Sequence, residues 1–254
     1  MSFPNIIFKD YGAEKETGSA KLGNLPLGCK MILPDGREYH HAQAGGTGLG
    51  AGVVTGVSAL YAGHGGVSGS GLLASATTTY NQIGDTDVYL LSKSGAFTEN
   101  QYADGYMCID GPAASSYLGH VYKIKANDSC AVSSELHVVL EDGDGLQVAL
   151  KAGTTLCSFR HNEFDNQIVA VQPVSGVTPV AVSANYYYWS QTKGVAAVET
   201  SATVAVNGSC VQCDTATAGS VTVASTADYD AVLPIGSALG AAAASQAILV
   251  KLNI

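Results

Sequence analysis

The sequence predicts an all-β protein of sandwich or barrel type that carries an extended N-terminal arm. Short apolar and β-branched runs recur at close spacing, and Gly, Asp or Asn turns separate them. Long apolar stretches with helical period are nearly absent. Residues 1–24 are predicted to form the arm and residues 25–254 the β-rich domain. Two β subdomains within that domain are also compatible with the length, but the sequence does not place a boundary.

The arm begins with a short apolar hook, made of Phe3, Ile6, Ile7 and Phe8. Residues 9–24 are polar, charged and without any period, so they are expected to stay loose. We expect the hook to dock on a partner or on a neighbouring copy, because apolar side chains are costly to leave in water. The alternative is a frayed terminus.

A β-hairpin is predicted next, because Pro34-Asp35-Gly36 is a turn signal between two strand-like flanks. Residues 44–71 are then dominated by glycine. They lack the Gly-Lys-Ser or Gly-Lys-Thr of a phosphate loop, so we interpret them as a flexible or closely packed loop.

The remainder of the chain is read as a series of strands separated by turns. They are predicted at residues 77–82, 87–92, 106–110, 120–125, 135–140, 147–150, 167–172, 177–182, 184–192, 196–206, 221–224 and 247–253.

The aromatic strand holds the only Trp of the chain and three of its 13 Tyr. Alternation places Tyr186 and Tyr188 on one face and Tyr187 and Trp189 on the other, and Gly194 is predicted to end the run. Aromatic side chains with a polar tip suit a core margin or a wet interface. A core strand and an interface strand both remain open, and we take Tyr186, Tyr188 and Trp189, with the hook, as candidate interface residues.

Composition and charge exclude several classes of function. Charged residues make up only 13% of the chain, the net charge is -9 and the sequence pI is about 4.9. An acidic chain does not attract phosphate backbones, so no nucleic-acid partner is expected. No apolar run is long enough for a membrane span, and the start lacks a secretory signal. We therefore expect an intracellular product with no membrane partner.

Two sequence motifs are similar to metal-binding sites. HNE at 161–163 with CVQC at 210–213 is like the ligand pattern of zinc deaminases, but Ser209 stands where that pattern has Pro, and neither segment is predicted to begin a helix. DGDG at 142–145 offers clustered oxygens for Ca²⁺, but it is also an ordinary turn sequence. We predict no catalytic residue, no metal and no cofactor, and hence no enzyme.

Several stretches together resemble virion proteins of tailed bacteriophages, and specifically their capsid decoration (cement or head-stabilising) proteins. The resemblance is carried by GCKMILPDGREY at 28–39, YADGY at 102–106, GHVYKI at 119–124, YYWSQTKGVA at 187–196, IGSAL at 235–239 and ILVKL at 248–252. Cys29 departs from the family pattern, which has Gln at that position. The matching stretches are structural motifs, and they span most of the chain from Leu27 onward.

The resemblance implies a β-rich cement protein on the outside of the virion capsid. Its partners would be the major capsid protein and copies of itself, as a homotrimer. Another phage structural protein, such as a head fibre, tail or minor capsid component, is the first alternative. A carbohydrate-binding β-module that uses exposed Tyr and Trp as sugar platforms is the second.

Overall fold

The computed structural model describes residues 6–57, 61–62, 72–74, 81–92, 95–111, 119–141, 143, 145–151, 155–168, 173–204, 208–224 and 234–254. The described residues are nearly all β, with 48% strand and 3% helix, which confirms the predicted fold class. The chain divides into two compact units. The first unit comprises residues 1–58 and 163–254, and the second comprises residues 59–162. No helix among these described residues is long and apolar enough to cross a membrane.

The strands are numbered in chain order. The first unit begins with β1 Ile6–Phe8, β2 Lys30–Ile32, β3 Glu38–Ala44 and β4 Val54–Val57. The second unit contains β5 Tyr61–Ala62, β6 Leu72–Ala74, β7 Asp87–Ser92, β8 Tyr106–Gly111, β9 Val121–Asn127, β10 Glu135–Leu140 and β11 Leu156–Arg160. The first unit resumes with β12 Asp165–Ile168, β13 Val174–Val177, β14 Tyr187–Glu199, β15 Cys210–Cys213, β16 Val221–Val223, β17 Pro234–Ala238 and β18 Ala247–Asn253. Two 3-10 helices, Ala13–Lys15 and Leu22–Asn24, lie between β1 and β2.

The first unit is built on a closed ring of five strands. Strands β3, β12, β4, β13 and β14 follow one another, and pairing of β14 with β3 closes the ring. From β3 the sheet continues through β2 to β1, and from β14 it continues through β18, β17 and β15 to β16. The ring makes this part of the unit a small barrel, and β14 belongs to both the barrel and the extension.

Strand β14 is the longest element of the described residues, with 13 residues, and it does not end where the sequence predicts. Its register with β3 shifts between Gln191 and Lys193, and Gly194 follows with φ 89°. A side chain at Gly194 would lie 2.8 Å from Arg37 Cγ, so this glycine permits close packing within a continuing strand. The prediction that Gly194 terminates the strand is therefore wrong.

The second unit is a separate antiparallel arrangement. Strands β6, β7, β10, β9 and β8 are neighbours in that order, and β11 pairs with both β6 and β8 to close them into a ring. Its core contains the buried side chains Val88, Leu90, Tyr102, Met107, Ile109, Tyr122, Ile124, Leu136, Val138, Leu140, Cys157 and Phe159.

The N-terminal segment from Ile6 to Asn24 is packed on its own chain, which corrects the expectation of a loose tether. Strand β1 pairs with β2 in parallel, with Ile6 opposite Lys30. Further along, the Gly18 N–H donates to the Tyr187 carbonyl at 3.0 Å. Because β2 and β14 offer backbone partners along this path, the polar segment is ordered without an apolar pattern of its own.

The other strand predictions have mixed outcomes. Three predicted segments match observed strands at both ends, namely 87–92, 135–140 and 247–253. Residues 147–150 are not a strand, and most of the segment 77–82 lies outside the described residues. Strands β4, β5, β6, β11, β15 and β17 were not predicted, because each is short and none shows a clear alternation. Because β4 and β5 lie within residues 44–71, the interpretation of that whole segment as a loop is wrong.

Candidate interaction surface

Strand β1 presents two apolar side chains to solvent. Ile6 is 48% exposed and Phe8 is 78% exposed, whereas Ile7 between them packs against a buried cluster that contains Met31 and Trp189. This alternation follows from strand geometry, in which neighbouring side chains point to opposite faces. Phe3, the fourth predicted hook residue, lies outside the described residues.

The same strand forms an edge of the sheet. β2 occupies one side of β1, where the Lys9 N–H donates to the Ile32 carbonyl at 3.2 Å. On its other side, no strand of the described part of the chain pairs with β1. A sheet edge of this kind offers backbone groups and apolar side chains together.

A shallow groove of about 560 Å³ adjoins the exposed side chains. It is lined by Phe8, Lys9, Asp10, Ile32, Leu33, Pro34 and Gly36. The groove combines the end of β1 with the turn after β2, so the hook and the predicted hairpin are brought together at one place.

The aromatic strand is mostly interior. Tyr188 and Trp189 are 0% and 1% exposed, so neither has surface to offer a partner, and their assignment to an interface is corrected. Tyr186 is 37% exposed and keeps an accessible ring. The physical reason is that two separate clusters cover the two faces of this strand: one contains Tyr188 and Phe164, the other Trp189 and Met31.

The buried Tyr188 is part of a hydrogen-bond network with polar side chains. The Asn166 side-chain amide donates to the Tyr188 hydroxyl at 2.8 Å, and the Ser175 hydroxyl donates to Asn166 Oδ1 at 2.5 Å. Burial raises the pKa of the Tyr188 phenol above its ordinary value. These contacts stabilise the barrel interior and provide no reactive group, because a buried, hydrogen-bonded and protonated phenol is not a base at neutral pH.

Two adjacent histidines of β3 are also structural. His41 is fully buried, with Nδ1 3.2 Å from the Pro26 carbonyl and Nε2 accepting the Leu22 N–H at 3.3 Å. This pattern fits the neutral tautomer with hydrogen on Nδ1. His40 stacks on Phe164 at 4.6 Å, and burial, followed by the nearby Lys30 charge, lowers its pKa to about 4.

The two metal-like motifs do not assemble a site within the described residues. No group of three His, Cys, Asp or Glu side chains there could hold a metal ion. Cys213 is buried, and burial raises its pKa to about 11, which disfavours the thiolate that a metal needs. Asp142 and Asp144 of the calcium motif lie outside the described residues.

A second exposed apolar surface was missed by the sequence analysis. Val195 and Leu249 are 43% and 53% exposed on the outer face of β14 and β18. The alternation along β18 could have revealed this surface. Ile248, Val250 and Leu252 are buried, so Leu249 between them points outward.

Comparison of the chain with protein families, with curated proteins and with solved structures finds no match.

Proposed function

We propose that this chain is a structural virion protein of a tailed bacteriophage. In this proposal it is a capsid decoration protein that binds the outside of the head and stabilises contacts between major capsid subunits. The observation that carries the proposal is the pair of side chains, Ile6 and Phe8, that the edge strand β1 holds in solvent. The resemblance described above supplies the class of partner.

The energetics favour attachment through this strand. Burying an exposed apolar side chain contributes about 1.5–3 kcal/mol, and two such side chains lie on one face of β1. Fixing a loose residue would cost about 1–2 kcal/mol, but β1 is already paired with β2. Because the strand is ordered before binding, less of the favourable energy is lost on docking.

The sparse charge of the chain supports the same role. Only 13% of its residues are charged, and interface cores are depleted of charged residues. A surface of Ser, Thr, Gly and Ala is cheaply desolvated when a protein packs into a shell. The homotrimer remains a prediction of the resemblance.

The test is binding of the purified protein to heads of the phage that encodes it. Wild-type protein should cosediment with the heads, and the double variant Ile6→Ser, Phe8→Ser should lose most of that binding. Cryo-electron microscopy of decorated heads should then show β1 against a capsid subunit.

A matched control is Ile83→Ser, because Ile83 is 70% exposed in the second unit, far in sequence from β1. This variant should bind like the wild type. Failure of the wild-type protein to bind heads, together with its absence from purified virions, would reject the proposed function.

The carbohydrate-binding alternative loses its main support. Trp189 is buried in the first unit, so it cannot stack on a sugar at the surface.

A further inference from the structure

A second groove, of about 700 Å³, lies across strands β14, β18, β17 and β15 of the first unit. It shares only Gly36 with the groove beside β1. Small-molecule sites in proteins have volumes of about 300–1,000 Å³ and contain a few polar groups that converge on one place. This groove has the size of such a site, so its polar side chains decide what it can bind.

Three side chains of different chemistry lie side by side in this groove. Lys251 of β18 is opposite Ser237 of β17, and Ser237 is opposite Cys210 of β15. Residues directly opposite each other in paired strands point to the same face, with Cβ atoms about 4.5–5.5 Å apart. An ammonium, a hydroxyl and a thiol therefore form one row within the reach of a single small molecule.

The groove is basic, although the chain as a whole has a net charge of -9. Its charged lining residues are Lys193 and Lys251, and no acidic residue is among the described residues that line it. The Lys193 ammonium lies 3.2 Å from Glu38, whereas Lys251 has no ionic partner within the described part of the chain. Asn253, opposite Lys193, adds a side-chain amide. The groove is therefore complementary to an anion.

Cys210 is the one exposed cysteine of the six, and the other five are buried or partly buried. Exchange with a disulfide requires a thiolate that can reach one of the two sulfur atoms. Access therefore favours reaction at Cys210, and the neighbouring ammonium groups favour a disulfide that carries negative charge.

We propose that this groove binds small anionic molecules, and that an anionic disulfide bound there, such as glutathione disulfide, modifies Cys210 by thiol–disulfide exchange. The carboxylates of the ligand lie against Lys251 and Lys193. The Cys210 thiol releases its proton to water, and the thiolate attacks the nearer sulfur of the ligand. The S–S bond of the ligand breaks, a new S–S bond to Cys210 forms, and the released glutathione thiolate takes up a proton. The disulfide is itself the oxidant.

Mass spectrometry of the full chain, folded and incubated with glutathione disulfide, is the first measurement. One glutathione should be added per chain, and peptide mapping should place it on Cys210. Cys210→Ser should abolish this addition. Addition chiefly at another cysteine would overturn the proposal.

Disulfides of different charge distinguish a binding groove from a thiol that is merely exposed. The ratio of the rate constants for glutathione disulfide and for neutral 2-hydroxyethyl disulfide reports binding of the anion, because any change in the thiolate alters both alike. Lys251→Gln should lower this ratio by about threefold to tenfold, since it removes one ammonium beside the ligand. Lys15→Gln, which removes the same charge outside the groove lining, should leave the ratio unchanged. An equal ratio in wild type and Lys251→Gln would contradict an anion site.

Binding without reaction is measured on Cys210→Ser. Glutathione disulfide should shift the NMR amide signals of Ser237, Lys251 and Asn253, and about 0.5 M salt should reduce the shifts. Absence of these shifts at about 10 mM ligand would also overturn the proposal. A thermal midpoint like that of the wild type shows that each variant is folded. These results are independent of head binding, which tests Ile6 and Phe8.

Discussion

At the scale of single residues, Gly176 shows how closely two strands of the barrel approach. A methyl group at this position would lie 2.2 Å from Ser190 Oγ and 2.8 Å from the Gln191 carbonyl. We predict that Gly176→Ala lowers the free energy of unfolding by about 1–3 kcal/mol or more, because the core must shift to admit it. Urea unfolding monitored by Trp189 fluorescence measures this. Gly46→Ala is the control, since nothing lies within 4 Å of its added methyl group, and it should cost less. Equal losses would contradict the packing argument.

His40 makes the stability of the first unit depend on pH. Its pKa is lowered to about 4 in the folded protein, against about 6.5 in an unfolded chain. Between these values the unfolded chain binds more protons, so this contribution is fully present above about pH 6.5 and is lost as the pH falls toward 4. We predict that His40→Gln flattens the dependence of the unfolding free energy on pH within this window. An unchanged slope in the variant would show that other groups cause it.

At the scale of elements, the sequence was most informative where one face of a strand is exposed. The alternation of β18 and the hook of β1 were both visible, because half of each strand meets water. The sequence could not show in the same way whether the aromatic strand lies in the core or at an interface. Its coverage depends on Met31 and Phe164, which reach it from distant parts of the chain. Gly194 was misread for a similar reason, since its partner, Arg37, comes from another segment.

The contacts of β1 predict what its removal does. Deleting residues 1–8 removes Ile7 from the cluster around Trp189 and exposes the edge of β2. We expect a loss of about 1–2 kcal/mol in the free energy of unfolding, of the order found for one partly buried apolar side chain. Calorimetry of the truncated chain measures it. The variant Ile6→Ser, Phe8→Ser should keep the wild-type midpoint, because both side chains are exposed. A truncation with no effect on stability would mean that β1 is not held by its own chain.

At the scale of the whole molecule, the second unit interrupts the first between two paired strands. Val57 at the end of β4 lies opposite Asn166 of β12, so the chain leaves and re-enters the first unit at neighbouring positions. The second unit closes similarly, since Tyr61 of β5 pairs with Arg160 of β11. The sequence could not reveal this insertion, because both units consist of short strands and look alike in sequence. In addition, the strand pairs that mark the boundary join residues about a hundred positions apart.

In each unit the two chain ends that connect to the other unit lie on paired strands. We therefore predict that the two units can be separated. We expect residues 59–162 to fold alone, since their core cluster is drawn entirely from that range. The first unit should also fold when residue 58 is joined to residue 163 through two glycines, because the added turn spans strands that are already neighbours.

Circular dichroism and amide exchange on the two separated units measure whether each folds cooperatively. Leu136→Ala should then destabilise only the second unit, by about 2–5 kcal/mol, and Ile248→Ala only the first by a similar amount, because each side chain is buried in one core. If either isolated unit remains unfolded, its stability depends on the rest of the chain, and the two cores do not suffice on their own.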